Sequence, residues 1–254
     1  MSYVTPVRDA LFGLYAWFIF GICILFGLCC ALLVPGAARR ARWLAGTAKA
    51  IFVLSGVPVE VQGMQNLPAS DCVVVANHAS YADGLLLKGY LPARFSFVIK
   101  GEMRNNAIVH FLLRRAGSRF VERDGSPASS RDARQIVKAA KSGQSLAMFP
   151  EGTFQQEPGL LRFHAGAFVA AVRANMPVVP IAISGTRHLL PSERDLPRFS
   201  RLRIDVLPPI NTDHAAFANH RDLAKLARQR ILAVLDEPDL VADEQTSSGA
   251  MNEQ

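Results

Sequence analysis

From Ala10 to Ala38 no residue carries a charge, and this stretch holds the run LFGLYAWFIFGICILFGLCCALLV. A bilayer span needs about 20 mostly apolar residues, so the run is long enough to form one. In lipid the backbone must satisfy its own hydrogen bonds, which makes the segment helical. Arg39, Arg40 and Arg42 follow at once, whereas Arg8 and Asp9 precede it. The positive-inside asymmetry then puts the body of the chain on the cytoplasmic face of an inner membrane. A cleaved signal peptide fits less well. The run is long for an h-region, and the small residues Gly36, Ala37 and Ala38 lead directly into arginines. A segment that dips into one leaflet without crossing satisfies the same pattern. From Arg42 to Leu54, Arg42 and Lys49 mix with Trp43, Leu44, Ile51 and Phe52. That mixture reads as an amphipathic helix lying along the membrane surface. Residues 1–55 are thus expected to form an N-terminal membrane helix and an amphipathic segment.

The remainder of the 254 residues is long enough for one α/β domain with a buried core. The formal net charge of +7 favours anionic partners. The basic residues form no long run and are not interleaved with aromatics, so a lipid surface and an anionic substrate rank above nucleic acid. Cys23, Cys29, Cys30 and Cys72 show no CxxC or Cys/His spacing, which points to buried packing residues and to no metal site.

Past the anchor, short β-rich runs alternate with helical patterns. Val57 to Val61, Cys72 to Ala76, Phe95 to Ile99, Leu146 to Phe149, Val178 to Ile183 and Leu202 to Leu207 read as strands. Cys72 to Ala76 is apolar throughout, as in a strand buried on both faces. Helices are expected over Ala107 to Ala116, Ser130 to Lys141, Gly166 to Ala174 and Asp222 to Leu235. This alternation predicts an α/β fold, a layered mixed sheet flanked by helices, over residues 56–238. Pro191 to Ser200 reads as a loop, and residues 239–254, polar and rich in Ser, Glu and Gln, as a disordered tail.

Two strand ends carry chemistry. The first is Asn77-His78-Ala79-Ser80-Tyr81-Ala82-Asp83, directly after the Cys72–Ala76 run. Histidine is suited to taking a proton near neutral pH, and a carboxylate on its other ring nitrogen fixes the tautomer. A five-residue offset on a regular helix rotates by about 140°, so His78 and Asp83 can meet only if a turn separates them. The second is Phe149-Pro150-Glu151-Gly152-Thr153, where Gly152 lets the backbone approach a ligand and Glu151 can accept a hydrogen bond. Between them, Gly117-Ser118-Arg119-Phe120-Val121-Glu122-Arg123, with Lys100 upstream, offers cations for phosphate. Each of these segments alone also fits an ordinary structural role. His110, His164, His188, His214 and His220 are scattered and lack HExxH spacing.

In this order, NHASYAD, GSRFVER, FPEGTF and VVPIAI resemble the motifs of the 1-acylglycerol-3-phosphate acyltransferases and their glycerolipid relatives. Lys100-Gly101-Glu102-Met103 is similar to a further Lys-x-Glu-Leu segment of that family, and the likeness covers Val57 to Leu207. The resemblance implies the glycerol-phosphate acyltransferase type of fold. It implies His78 as general base and Asp83 as its orienting partner. It also implies Lys100, Arg123, Glu151, Gly152 and Thr153 as residues that bind the substrate. An acyl-CoA or acyl carrier protein thioester would be the co-substrate, no cofactor would be bound, and a lysophospholipid would be the acceptor. One departure stands out. Many members continue FPEGT with Arg-Ser, and here Phe154-Gln155 follows, which removes a positive charge beside the expected headgroup site.

The expected reaction is transfer of an acyl group to a lysophospholipid hydroxyl, with 1-acylglycerol-3-phosphate as leading acceptor and another lysolipid as alternative. A lipid hydrolase would want a GxSxG elbow, and the chain has none. A catalytically silent membrane scaffold that binds lipid is the reading from another class.

Overall fold

The computed structural model describes residues 4–121, 127–193 and 195–241, with side chains described from residue 7 and, after the first gap, from residue 131. Helix α1 (Val4–Leu33) ends where Pro35 approaches, since proline lacks the N–H that would continue the ladder. Gly36, at φ 80°, turns the chain into α2 (Ala37–Leu54). The uncharged run is therefore two elements, with its last residues belonging to α2. Helix α2 buries Leu44, Ala45, Thr47, Ala48, Ile51 and Phe52.

Helix α1 does not project from the body. Near its start Asp9 pairs with Arg198 at 3.9 Å, and the Phe12 and Phe199 rings meet edge-on at 5.8 Å. The Tyr15 hydroxyl donates to the Leu54 carbonyl at 2.8 Å. Near its end Arg115 donates to the Ala31 carbonyl at 2.7 Å. At about 1.5 Å per residue these contacts tie down both ends of a helix roughly 45 Å long. Its outer face shows Leu11, Leu14, Phe18, Ile22, Leu25 and Leu32, all exposed. Their spacing of three, four or seven places them on one stripe. Among the described residues, Val7–Leu33 is the single segment long and apolar enough to cross a bilayer.

The body is built from β1 (Val59–Gln62), β2 (Val73–Ala76), α3 (Ala82–Tyr90), β3 (Ser96–Lys100), α4 (Ala107–Arg115), β4 (Arg119–Val121), α5 (Pro127–Lys141) and β5 (Leu146–Met148). These are followed by α6 (Gly166–Ala174), β6 (Val178–Ser184), α7 (Thr186–Leu189), β7 (Leu202–Val206) and α8 (His220–Leu232). The seven strands run in the order β1-β7-β6-β2-β5-β3-β4. All neighbours are parallel except β6 and β7. The sheet is thus mixed, as the alternation of strand and helix predicts. Strand β4 was not among the expected strands, and α5 and α8 begin earlier than their patterns suggest, at Pro127 and at His220. Proline suits the first helical position, where its missing N–H has no partner to lose. Asn219 caps α8 by accepting from the Arg221 N–H.

Strand β2 lies at the centre and alternates between the two faces. Val73 and Val75 pack with Ile136, Phe168, Leu223 and Ile231 from α5, α6 and α8. Val74 and Ala76 pack with Phe52, Leu86 and Leu87 from α2 and α3. Every residue of β2 is fully buried, so its C-terminal end is fixed by packing on both sides. Asp239, Leu240 and Val241, expected to open the disordered tail, lie against the body, with Asp239 in a parallel bridge to Leu160. Residues 242–254 lie outside the described residues.

Candidate active site

Where β2 ends, the Asn77 side chain takes over the role of a strand. Its Nδ2 donates to the Ile183 carbonyl at 2.9 Å, and its Oδ1 accepts the Ile183 N–H at 2.7 Å. The ladder between β2 and β6 thus continues through an amide side chain, and the backbone is free to turn. It passes through an irregular stretch, Asn77 to Ser80, before entering α3. This is the turn that the five-residue offset between His78 and Asp83 requires.

Asp83 lies in the first turn of α3, where the helix dipole favours a negative charge. Its Oδ2 accepts from the Ala79 N–H at 2.7 Å, the Ser80 N–H at 2.9 Å and His78 Nδ1 at 2.9 Å. The carboxylate is fully buried. An ionised carboxylate can only accept, so Nδ1 bears the proton and Nε2 keeps its lone pair. The imidazole is 18 % exposed, and Nε2 has no protein hydrogen-bond partner among the described residues. Ser80 pins the turn from the other side, its hydroxyl donating to the Leu190 carbonyl at 2.7 Å.

Aromatic rings border the imidazole. Phe149 stacks on it at 4.3 Å between centroids, and Phe154 meets it edge-on at 4.7 Å. Tyr81, exposed, touches Phe154 in turn at 4.8 Å. Such contacts hold a ring in place and keep its surroundings apolar.

Glu151 is 3 % exposed. Its Oε1 accepts the backbone N–H of His78 at 2.6 Å, and its Oε2 the N–H of Leu161 at 2.8 Å. Burial pushes its carboxyl up to about 7, against the lowering effect of those two N–H groups. Glu151, expected to bind the substrate, directs both oxygens at the main chain and so couples the His78 turn to the segment after it. Gly152 has φ 77°, a left-handed conformation that glycine adopts without strain, and this sharp turn lets Thr153 reach the surface. Lys100 ends β3 on the same edge of the sheet, but its Nζ pairs with Glu102 at 2.8 Å on the surface and joins none of the other candidates. Arg123 lies outside the described residues. No group of His, Cys, Asp and Glu among the described residues could hold a metal ion.

The structure brings His78 and Asp83 together as the sequence pairs them, through parts that sequence reasoning missed. Asn77 stood within the motif with no sign of its strand-like role. Phe154 was visible only as a lost charge, with nothing to show that its ring reaches His78.

The central strand of a mixed α/β sheet thus ends in a histidine oriented by a buried carboxylate. The sequence profile described as "Acyltransferase" matches residues 58–184, half of the chain, and the protein belongs to that family. It is 24 % identical over 221 residues to a 1-acyl-sn-glycerol-3-phosphate acyltransferase of Saccharomyces cerevisiae, covering 84 % of this chain and 72 % of the relative. It is 31 % identical over 157 residues to a lyso-ornithine lipid O-acyltransferase of Pseudomonas aeruginosa, covering 62 % and 58 % respectively. The crystal structure of PlsC, the 1-acyl-sn-glycerophosphate acyltransferase of Thermotoga maritima, superposes with a TM-score of 0.75 at 25 % identity, over 89 % of this chain and 94 % of that one. This chain is an acyltransferase with the fold of PlsC.

Proposed function

We propose that the chain transfers a fatty acyl group from an acyl-CoA or acyl carrier protein thioester to the free hydroxyl of a lysophospholipid, with 1-acyl-sn-glycerol-3-phosphate as acceptor and phosphatidic acid as product. The observation that carries this reading is the partly exposed His78 ring, whose Nδ1 is bound to buried Asp83. Nε2 takes the proton of the acceptor hydroxyl as that oxygen attacks the thioester carbonyl. Asp83 stabilises the imidazolium that forms. The tetrahedral intermediate then expels the thiolate, which receives the proton from His78. Base catalysis of this kind contributes about 10²–10⁴-fold. Arg123 and Thr153 are assigned to the acceptor's glycerol-phosphate, and Lys100 to the edge of the site.

Residues 1–55 form the membrane-binding part, 56–241 the catalytic body. Because α1 is fastened to the body at both ends, we infer that it lies within one leaflet, with its apolar stripe in the acyl chains. Arg39 and Arg42, both exposed, then meet anionic headgroups on the cytoplasmic side.

A second reading, acylation of a lyso-aminolipid, draws support from Phe154, which sets an apolar ring against His78, and from the similarity to a lyso-ornithine lipid O-acyltransferase. The test is an assay of purified protein in detergent, crossing a panel of lysolipids with both thioester donors. Ester formation with 1-acylglycerol-3-phosphate is the expected result. Preference for a lyso-aminolipid would move the assignment to the second reading. Release of free fatty acid alone would indicate a hydrolase, and no reaction with any pair would indicate a scaffold.

A further inference from the structure

The chain after Glu151 has an irregular course up to α6, and it is held in place from outside by the C-terminal segment. Glu237 accepts from Arg187 at 3.0 Å and from the Gly159 N–H at 2.9 Å. The Leu160 N–H donates to the Pro238 carbonyl at 2.9 Å. Arg228 pairs with Asp239 at 2.6 Å and donates to the Leu160 and Leu161 carbonyls at 2.6 and 2.9 Å. The Leu240 side chain rests on Gly159, where any Cβ would collide with it.

Against this clasp lies an open-sided cavity of about 210 Å³, lined by Glu151, Thr153 and Leu161, by the exposed Arg162 and His164, and by Leu240 and Val241 of the clasp. At roughly 30 Å³ per water it has room for a phosphate with a few carbons. The cavity adjoins the reacting histidine twice over. Glu151 binds the His78 main chain, and Phe154, next to Thr153, touches the His78 ring. A glycerol hydroxyl at His78 would bring a phosphate on the neighbouring carbon towards it.

Arg162 brings a positive charge to the cavity lining. Glu151 has both oxygens occupied by backbone N–H groups, and Glu237 is taken by Arg187 and Gly159. The Arg162 and His164 side chains have no hydrogen-bond or ion-pair partner among the described residues. We propose that Arg162 and His164 bind the phosphate of the acceptor, in a cavity whose outer wall is the chain's own Leu240 and Val241. These residues supply the charge that Phe154 lacks, and the C-terminal clasp sets the size of headgroup admitted. The inference rests on the proposed transfer to a lysophospholipid.

The test measures kinetics and equilibrium binding on the full chain in detergent, with Arg162→Ala, Arg162→Lys and Leu240→Ala. Arg162→Ala should lower the ratio of kcat/KM for 1-acylglycerol-3-phosphate over uncharged 1-acylglycerol about tenfold, as expected for a charge-assisted phosphate contact. Arg162→Lys should restore part of that ratio, and the KM for acyl-CoA should move by less than about twofold. Leu240→Ala, whose thermal midpoint shows whether the body is intact, should raise the relative kcat/KM for acceptors with bulkier headgroups. Calorimetric titration with 1-acylglycerol-3-phosphate separates this inference from the function it rests on. Binding that weakens about tenfold in Arg162→Ala supports the headgroup site whatever the turnover. An unchanged Kd in that variant, or no binding by the wild-type protein, overturns it. A wild-type protein that binds this lipid but acylates nothing would refute the transferase reading alone.

Discussion

The carboxylate of Glu151 holds the peptide N–H of His78 at 2.6 Å, although the two residues are 73 positions apart and leave different strands. The proposed base is therefore positioned by a carboxylate whose two oxygens are both taken by main-chain N–H groups. In Glu151→Gln the amide has one oxygen for two N–H donors, so either His78 or Leu161 faces an NH₂ group. We expect kcat to fall about tenfold or more with a smaller change in donor KM, measured with acyl-CoA at saturating acceptor.

The same substitution changes how stability depends on pH. The Glu151 carboxyl is raised from the ordinary 4.5 to about 7. Between those values the folded protein holds a proton that the unfolded chain has lost, so this group's contribution diminishes as pH rises through the window. Glutamine does not titrate. The stability of Glu151→Gln relative to wild type should thus increase from pH 5 to pH 8 by about 2 kcal/mol, read from paired unfolding curves. A constant difference across that range would contradict the assignment.

His78→Ala should lower kcat by about 10²–10⁴-fold while the protein remains folded and membrane-bound. Near-normal turnover, measured beside circular dichroism and vesicle flotation, would refute the assignment of His78 as base.

Asp83→Asn separates charge from geometry. Its side-chain oxygen can still accept from His78, Ala79 and Ser80, and the added NH₂ falls at Oδ1, a buried atom without a partner among the described residues. Imidazolium stabilisation is lost, so kcat should fall about 100-fold or more. The cost of burying a charge is lost as well, so the thermal midpoint should drop by less than in Asp83→Ala.

Arg123→Ala, at the position expected to meet the glycerol-phosphate, should raise the acceptor KM more than the donor KM. Steady-state kinetics with each substrate varied in turn would reveal equal effects, which would remove the headgroup role.

The sequence announced the features that local chemistry dictates. Cys72 to Ala76 is apolar without interruption because β2 is covered on both faces, and His78 and Asp83 could be paired because their spacing demanded the turn that Asn77 permits. Gly166 to Ala174 matched α6 from end to end because its pattern lies wholly on one helix. Features made by distant contacts were not legible. Strand β4 has three residues, too few to show alternation. Hydropathy marked α1 as long and apolar, but the partners that bind its ends, Arg198 and Arg115, lie far along the chain. The polar composition after Pro238 concealed that Asp239 has Arg228 waiting for it. Glu151 looked like a ligand for substrate because nothing nearby in sequence revealed that two peptide groups would claim it.

The amide exchange between Asn77 and Ile183 ties the turn that carries His78 to the middle of the sheet, and core strands as a rule open only with global unfolding. Warming should then extinguish turnover and tertiary structure in one step, with no stage at which a folded but inactive enzyme accumulates.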